Sequence, residues 1–302
     1  MNHKAIAPFY GLAAATLWGL SFLSIKVTVA FLPPMTLAAC RGAVACAALA
    51  LIARFAKEDL RIARSDLAIL ILGGIFNVPF YFFLINNGLA LLSASECSLI
   101  IGMVPVATVL AERLFLGIRP GAQAYAGALL SFAGVALIVA RHQSVSGSIL
   151  GYAYMVGAAM VFVAYIFATR RAASRCGLLT ITFWQGLFGL IGCLPFILLE
   201  AHAWKAPTAM VTLNILFLGL ACSAVASWFY VATIGLLGGS RASIFINFMP
   251  VVAVLAAFLI LGERLGALQW VGGATAIAGV YLATVSGRPK GAGREAAAPS
   301  RP

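Results

Sequence analysis

The stretch Leu91–Val135, LLSASECSLIIGMVPVATVLAERLFLGIRPGAQAYAGALLSFAGV, recurs without a gap as Leu236–Val280, LLGGSRASIFINFMPVVAVLAAFLILGERLGALQWVGGATAIAGV. The offset is 145 residues, and 20 of the 45 aligned positions are identical. They include Ser95 and Ser240, Ser98 and Ser243, Pro105 and Pro250, Leu116-Gly117 and Leu261-Gly262, Arg119 and Arg264, Gly127 and Gly272, and Gly134 and Gly279. Shared apolar composition alone would match about a fifth of such positions. Matched proline, glycine and arginine lie beyond that explanation. At the same offset Gly19 and Lys26 in WGLSFLSIK meet Ala164 and Arg171 in VAYIFATRR. The chain reads as two copies of one unit.

Composition says what each copy is made of. Of 302 residues, 63% are apolar and 9% charged, against about 25% charged in soluble domains. Mean hydropathy is +1.05, so a cytosolic enzyme is excluded. Ten candidate spans follow from the apolar runs: 7–27, 34–53, 67–86, 96–115, 123–140, 149–169, 178–199, 211–234, 241–261 and 268–287. Turn residues punctuate the short breaks at Leu32-Pro33-Pro34, Arg119-Pro120-Gly121 and Leu237-Gly238-Gly239. The expected fold is an all-α integral membrane protein with ten transmembrane helices in two five-helix repeats, residues 1–145 and 146–287. Five is odd, so the second repeat is inverted relative to the first. The Gly/Pro/Ala-rich tail at 288–302 is expected to be disordered and cytoplasmic. The N-terminal MNHKAIAPFYGLAAATLWG has no small-residue cleavage site and reads as a retained first span.

The net charge of +12 is a topology signal. On the side of the termini fall Lys4, Arg54, Lys57, Arg61, Arg64, Arg113, Arg119, Arg170, Arg171, Arg175, Arg241, Arg288, Lys290, Arg294 and Arg301, which is 15. The other side holds 4, namely Lys26, Arg141, Lys205 and Arg264, while Arg41 lies within a span. Positive residues stay cytoplasmic, so both termini are expected inside the inner membrane and the Glu263-Arg264 loop outside. Nucleic acid is not an expected partner, because no basic patch stands on a water-exposed face. The six cysteines carry no metal spacing and the three histidines sit at span ends, so no metal and no cofactor are expected.

The residues Trp18-Gly19 and Lys26 on the first span, Arg41 on the second, and the stretch from Pro250 to Leu261-Gly262-Glu263-Arg264 carry a family likeness. The chain resembles the EamA-type branch of the drug/metabolite transporter superfamily over residues 8–287. The resemblance implies ten helices in two inverted repeats, a central cavity, and export of small metabolites such as amino acids. The first copy departs from it with Ile118 where the second keeps Glu263.

Candidate site residues come from polarity and aromaticity at membrane depth. Pro105 and Pro250 lie mid-span in equivalent helices, where each removes a backbone hydrogen bond and can act as a gating kink or a static one. Polar pairs at i, i+4 mark single helix faces: Asn77/Tyr81, Ser98/Gly102, Ser223/Ser227 and Ser243/Asn247. Serine can bond its own helix carbonyl, which leaves Asn77 and Asn247 as the stronger cavity-facing donors. Trp18, Phe22 and Trp228 lie near mid-span and with Tyr81 suit an aromatic or amphipathic solute, whereas Trp204 and Trp270 read as interfacial belt residues. Glu96, which has a capping spacing, Lys26, which can snorkel, and the deeper Arg41 are candidates for charge pairing or coupling. Glu112 is expected to pair locally beside Arg113.

Inverted repeats in a membrane point to a secondary transporter working by alternating access on a small-molecule substrate. Few fixed charges line the expected cavity, so a neutral or zwitterionic solute fits better than a strongly anionic one. Proton coupling stays open, although no span carries two mid-membrane carboxylates. A passive channel would want a filter of repeated carbonyl or charged rings, and an intramembrane enzyme a constellation such as paired aspartates. Asp59 and Asp66 both flank spans, and neither pattern is seen. The sequence carries no reading of oligomeric state.

Overall fold

The computed structural model describes residues 3–29, 31–92, 97, 100–118, 120–139, 148–204, 206–261 and 266–285. Every regular element among these residues is helical. In chain order they are α1 (His3–Thr28), α2 (Pro34–Ala56), α3 (Arg64–Ile75), α4 (Tyr81–Leu91), α5 (Val104–Phe115) and α6 (Ala122–Val139). Then come α7 (Ile149–Ala173), α8 (Leu178–Glu200), α9 (Ala209–Phe217), α10 (Ala226–Leu237), α11 (Gly239–Ile244), α12 (Met249–Leu261) and α13 (Ala267–Val285). A π-helical turn at Phe76–Phe80 joins α3 to α4, and a second at Leu218–Val225 joins α9 to α10.

Among the described residues, five helices are long and apolar enough to cross a membrane: Pro34–Ala56, Arg64–Gly88, Ile149–Ala173, Leu178–Ala203 and Ala209–Leu237. Shorter apolar helices run over Ile6–Ser21, Ala122–Ile138 and Ala267–Ala283. Lipid offers no partner to a free amide, so a chain this apolar closes its hydrogen bonds within helices. The outer surface agrees with that solvent. Phe55, Phe115 and Leu259 are 82%, 79% and 76% exposed, which water would penalise and acyl chains do not.

Helix ends carry the stops that their residues dictate. Pro34 opens α2 where a missing N–H costs nothing, and Lys57 closes it in the left-handed region at φ 55°. The Ser148 hydroxyl accepts the Gly151 N–H at 3.1 Å to start α7. Gly238, at φ 83°, separates α10 from α11.

Helices α6 and α13 pack through glycines. A Cβ on Gly272 would stand 2.7 Å from the Gly134 carbonyl oxygen, and one on Gly127 2.8 Å from that of Gly279. The facing pairs are Gly127 with Ala283, Ser131 with Gly279, Gly134 with Ala276 and Ile138 with Gly272. Numbers rise along one helix as they fall along the other, so the two run antiparallel. Only hydrogen side chains let backbones approach this closely.

Irregular backbone also recurs at the offset of 145. The turn at Phe76–Phe80 contains Pro79, which cannot complete the α ladder, and its offset mate lies within Leu218–Val225. Pro105 stands in the first turn of α5, after a turn at Met103. Pro250 is the second residue of α12, after a 3₁₀ segment at Phe245–Phe248. Their mid-span positions predict a kink inside a continuous helix. The backbone instead interrupts the α ladder and resumes it at each proline, whose fixed φ and missing N–H suit a first turn.

Candidate functional site

Five aromatic side chains meet at the centre of the helices. The Trp18 ring lies 5.0 Å from Tyr230, Tyr230 lies 6.2 Å from Phe162, and Phe162 lies 5.3 Å from Tyr81 and 5.4 Å from Tyr165. They come from α1, α4, α7 and α10, and Ala14, Val104, Ala159 and Ile246 are among the buried residues packed with them. Tyr165 and Tyr230 are each 1% exposed. The Tyr230 hydroxyl is sealed with no hydrogen-bond partner among the described residues.

The π-turn at Leu218–Val225 receives polar side chains from two helices. Trp18 Nε1 donates to the Cys222 carbonyl at 2.9 Å, and the Cys222 thiol donates back to the Leu17 carbonyl at 3.4 Å. Arg41 Nε donates to the Ser223 hydroxyl at 2.7 Å. A π-turn leaves backbone acceptors that a regular helix would use, so it can hold such donors. Arg41 is 8% exposed, and its guanidinium carbon stands 5.9 Å from the Phe82 ring centroid. No carboxylate lies within ion-pair distance of it among the described residues. Asn77 is half-buried in the π-turn preceding Tyr81.

Other candidates stand elsewhere. Trp228 packs edge-on at 5.8 Å from Tyr10 and belongs with Ala45, Leu49, Ala53 and Leu179, away from the Trp18 cluster. Asn247 is fully buried and donates Nδ2 to the Ser131 hydroxyl at 2.9 Å, while its Oδ1 has no partner among the described residues. It therefore joins the second half of the chain to α6. Ser243 donates to the Ser240 carbonyl of its own helix at 2.9 Å. Glu96, Ser98, Arg119, Glu263, Arg264 and the 288–302 tail lie outside the described residues, as do the side chains of Phe22 and Lys26.

Two carboxylate clusters were missed. Glu112 does not pair with Arg113. It accepts Arg170 Nη1 at 2.7 Å, the Ser240 N–H at 3.2 Å, and the Ser240 hydroxyl. It thereby covers the start of α11, and a Cβ on Gly239 would stand 3.0 Å from its Oε1. Glu200, at the end of α8, accepts the Met35 and Thr36 N–H groups at 3.2 and 2.7 Å and the Thr36 hydroxyl at 2.8 Å, so it caps α2. Each carboxylate sits where amides at a helix start are free to donate. A lone glutamate in apolar sequence was the available signal, but the partners are distant in the chain.

Outside the spans, Cys176 on the α7–α8 connection meets a third carboxylate. Burial pushes its thiol up, Asp66 adds to that by charge and hydrogen bond, and Arg175 opposes. Asp66 itself pairs with Arg175 Nη1 at 3.1 Å. A surface groove lined by Ala47, Arg54, Glu58 and Leu60 lies near the α2 C-terminus, away from the aromatic centre.

Comparison with known proteins places this geometry. Residues 5–140 and 149–285 each match the EamA-like transporter family. The chain is 32% identical over 291 residues to a probable terminal-alkyne amino-acid exporter of Streptantibioticus cattleyicolor, covering 94% of each chain. It is 28% identical over 275 residues to an uncharacterized transporter of Archaeoglobus fulgidus, covering 88% of this chain and 94% of the relative. A solved crystal structure, 22% identical, superposes with a TM-score of 0.78 and covers 93% of this chain and 98% of its own. That likeness concerns the fold.

Proposed function

Because the chain belongs to the EamA-like transporter family, we propose that it exports a small neutral or zwitterionic solute, an amino acid or a close relative, by alternating access. The carrying observation is the aromatic centre of Trp18, Tyr81, Phe162 and Tyr230, with the π-turn whose Cys222 carbonyl holds Trp18 also bonded, at Ser223, by the buried Arg41 guanidinium. Aromatic faces take the apolar part of such a solute, and few fixed charges leave little for a polyanion.

In this reading the chain forms ten helices in two inverted five-helix repeats, 1–145 and 146–287. Both termini are cytoplasmic at the inner membrane. The antiparallel packing of α6 on α13 and the paired backbone breaks support the inversion. The positive-residue count supports the orientation. The relative named as an amino-acid exporter supports the solute class and the outward direction.

Proteoliposomes preloaded with single solutes test the reading. A panel of neutral amino acids, including one with a terminal alkyne, should show efflux and counterflow above protein-free vesicles. Trp18→Ala should lower it more than Trp228→Ala. Counterflow of no amino acid or related metabolite in the panel overturns the proposal.

A further inference from the structure

We propose that Arg41 is the receptor for a carboxylate on the solute, with Trp18 and Tyr230 beside it receiving the rest of the molecule. The inference rests on the transport reading and names the chemical group that the site recognises.

A guanidinium carries five N–H donors in a planar fork and keeps its charge in proteins. In Arg41 the Nε–H is spent on the Ser223 hydroxyl, a neutral acceptor. The Phe82 ring face offers a further weak attraction. Neither balances a full positive charge at membrane depth, where an unpaired ion is costly. Helix glue alone would be served by glutamine or an apolar residue at lower cost.

The Nη groups are the telling part. Among the described residues, no side chain or carbonyl accepts from them. The residue is 8% exposed, so these donors are buried with the rest of the side chain. Ser223 takes the Nε edge and Phe82 lies near one face, so the Nη pair is the edge without an acceptor among the described residues. That edge matches a carboxylate in bidentate geometry, where the two hydrogen bonds are charge-assisted.

The neighbours supply the rest of the pocket. Ser223 follows Cys222, whose carbonyl holds the Trp18 indole, and the Trp18 ring touches Tyr230. Tyr230 is 1% exposed, and its hydroxyl has no partner among the described residues. A zwitterion with an apolar side chain meets these demands together, since its carboxylate neutralises Arg41 and its side chain lies against aromatic rings.

The test uses the full chain in lipid nanodiscs with three probes: L-phenylalanine, L-phenylalaninamide, which lacks the carboxylate, and 3-phenylpropanoate, which lacks the ammonium. Wild type should bind both acids about tenfold or more tightly than the amide, read by ligand-induced Tm shift. Arg41→Gln should abolish that preference while the unliganded Tm falls no lower than wild type. Arg41→Lys, which keeps charge and loses the fork, should be intermediate. Ser223→Ala, which leaves the charge and frees its aim, should weaken the acids alone. A structural role predicts the reverse, with a lower unliganded Tm for Arg41→Gln and equal loss for all three probes. That result, or equal binding of acid and amide by wild type, or no binding of either acid, overturns the inference. Counterflow separates the two levels. Transport of the amide without preference for the acids leaves a transporter whose Arg41 reads no carboxylate, whereas transport of no solute removes the transport reading itself.

Discussion

Glu112 on α5 and Arg170 on α7 stand 2.7 Å apart across 58 residues of sequence. The same carboxylate takes the amide and hydroxyl of Ser240, so one buried side chain ties α5, α7 and α11. Its side chain is 5% exposed and that of Arg170 34%. Removing the carboxylate leaves a cation and a helix-start amide unpaired.

Glu112→Ala should therefore destabilise the protein by roughly 3 kcal/mol, as expected when one half of a buried pair is lost. Arg170→Ala should cost less, roughly 1 kcal/mol, because its guanidinium is partly solvated and Ser240 still satisfies the carboxylate. Thermal melts in one detergent compare them. Equal costs, or a smaller cost for Glu112→Ala, would show that the pair rather than the helix start carries the energy.

The α6–α13 seam predicts a strong position dependence among glycines. A Cβ on Gly134 would meet the backbone of Ala276 and stand 2.7 Å from the Gly272 oxygen, and neither can rotate away. A Cβ on Gly273 meets only Val251 Cγ1 at 3.7 Å, an ordinary contact. Gly134→Ala should cost roughly 2 kcal/mol or more through forced separation of the helices. Gly273→Ala should be neutral or slightly stabilising through helix propensity. Melting temperatures that drop equally for both would remove the close-packing account.

Cys176 should react slowly with thiol reagents, because burial and Asp66 both disfavour its thiolate. The thiolate is the nucleophile, so its alkylation should climb with pH later than for a free cysteine. Asp66→Asn removes the nearby negative charge and should speed labelling several-fold near neutral pH, shifting the rate profile to lower pH. The measurement is timed maleimide labelling of a variant in which Cys176 is the sole cysteine. An unchanged profile in Asp66→Asn would leave burial as the whole cause.

Much of this was legible in the residues, and the limits have a physical source. Pro105 and Pro250 act through local backbone, and the seam glycines recur as a residue type at fixed spacing, so both could be read before any contact was known. Partners such as Glu112 with Arg170, or Arg41 with Ser223, depend on packing between distant segments, which composition does not encode. Trp18 and Trp228 both fall at membrane depth by position, yet they belong to different clusters. Trp228 follows the π-turn at Leu218–Val225, and each inserted residue rotates the helix face by about 100° relative to an unbroken wheel. Asn247 sits within the 3₁₀ segment Phe245–Phe248, so the i, i+4 face assumed with Ser243 does not hold there. Depth follows from sequence more readily than direction does.

The two prolines give the sharpest test of alternating access. Each lacks the N–H that would bond four residues back, to the Ile101 and Ile246 carbonyls respectively, and each opens a helix after a break. Pro105→Ala and Pro250→Ala supply that N–H and let the α ladder run through. Because proline suits a first turn, stability should change by about 1 kcal/mol or less. The conformational balance should respond more. If the two copies are inverted, each break belongs to the opposite face of the membrane, and closing one favours the state that closing the other disfavours. A bias of about 1.4 kcal/mol is a tenfold change in population, enough to slow turnover with solute binding nearly intact. Single cysteines placed near each membrane face, labelled from each side in both backgrounds, report that balance. The expected result is opposite shifts in accessibility for Pro105→Ala and Pro250→Ala. Shifts in the same direction, or none in either variant, would reduce both prolines to static helix starts.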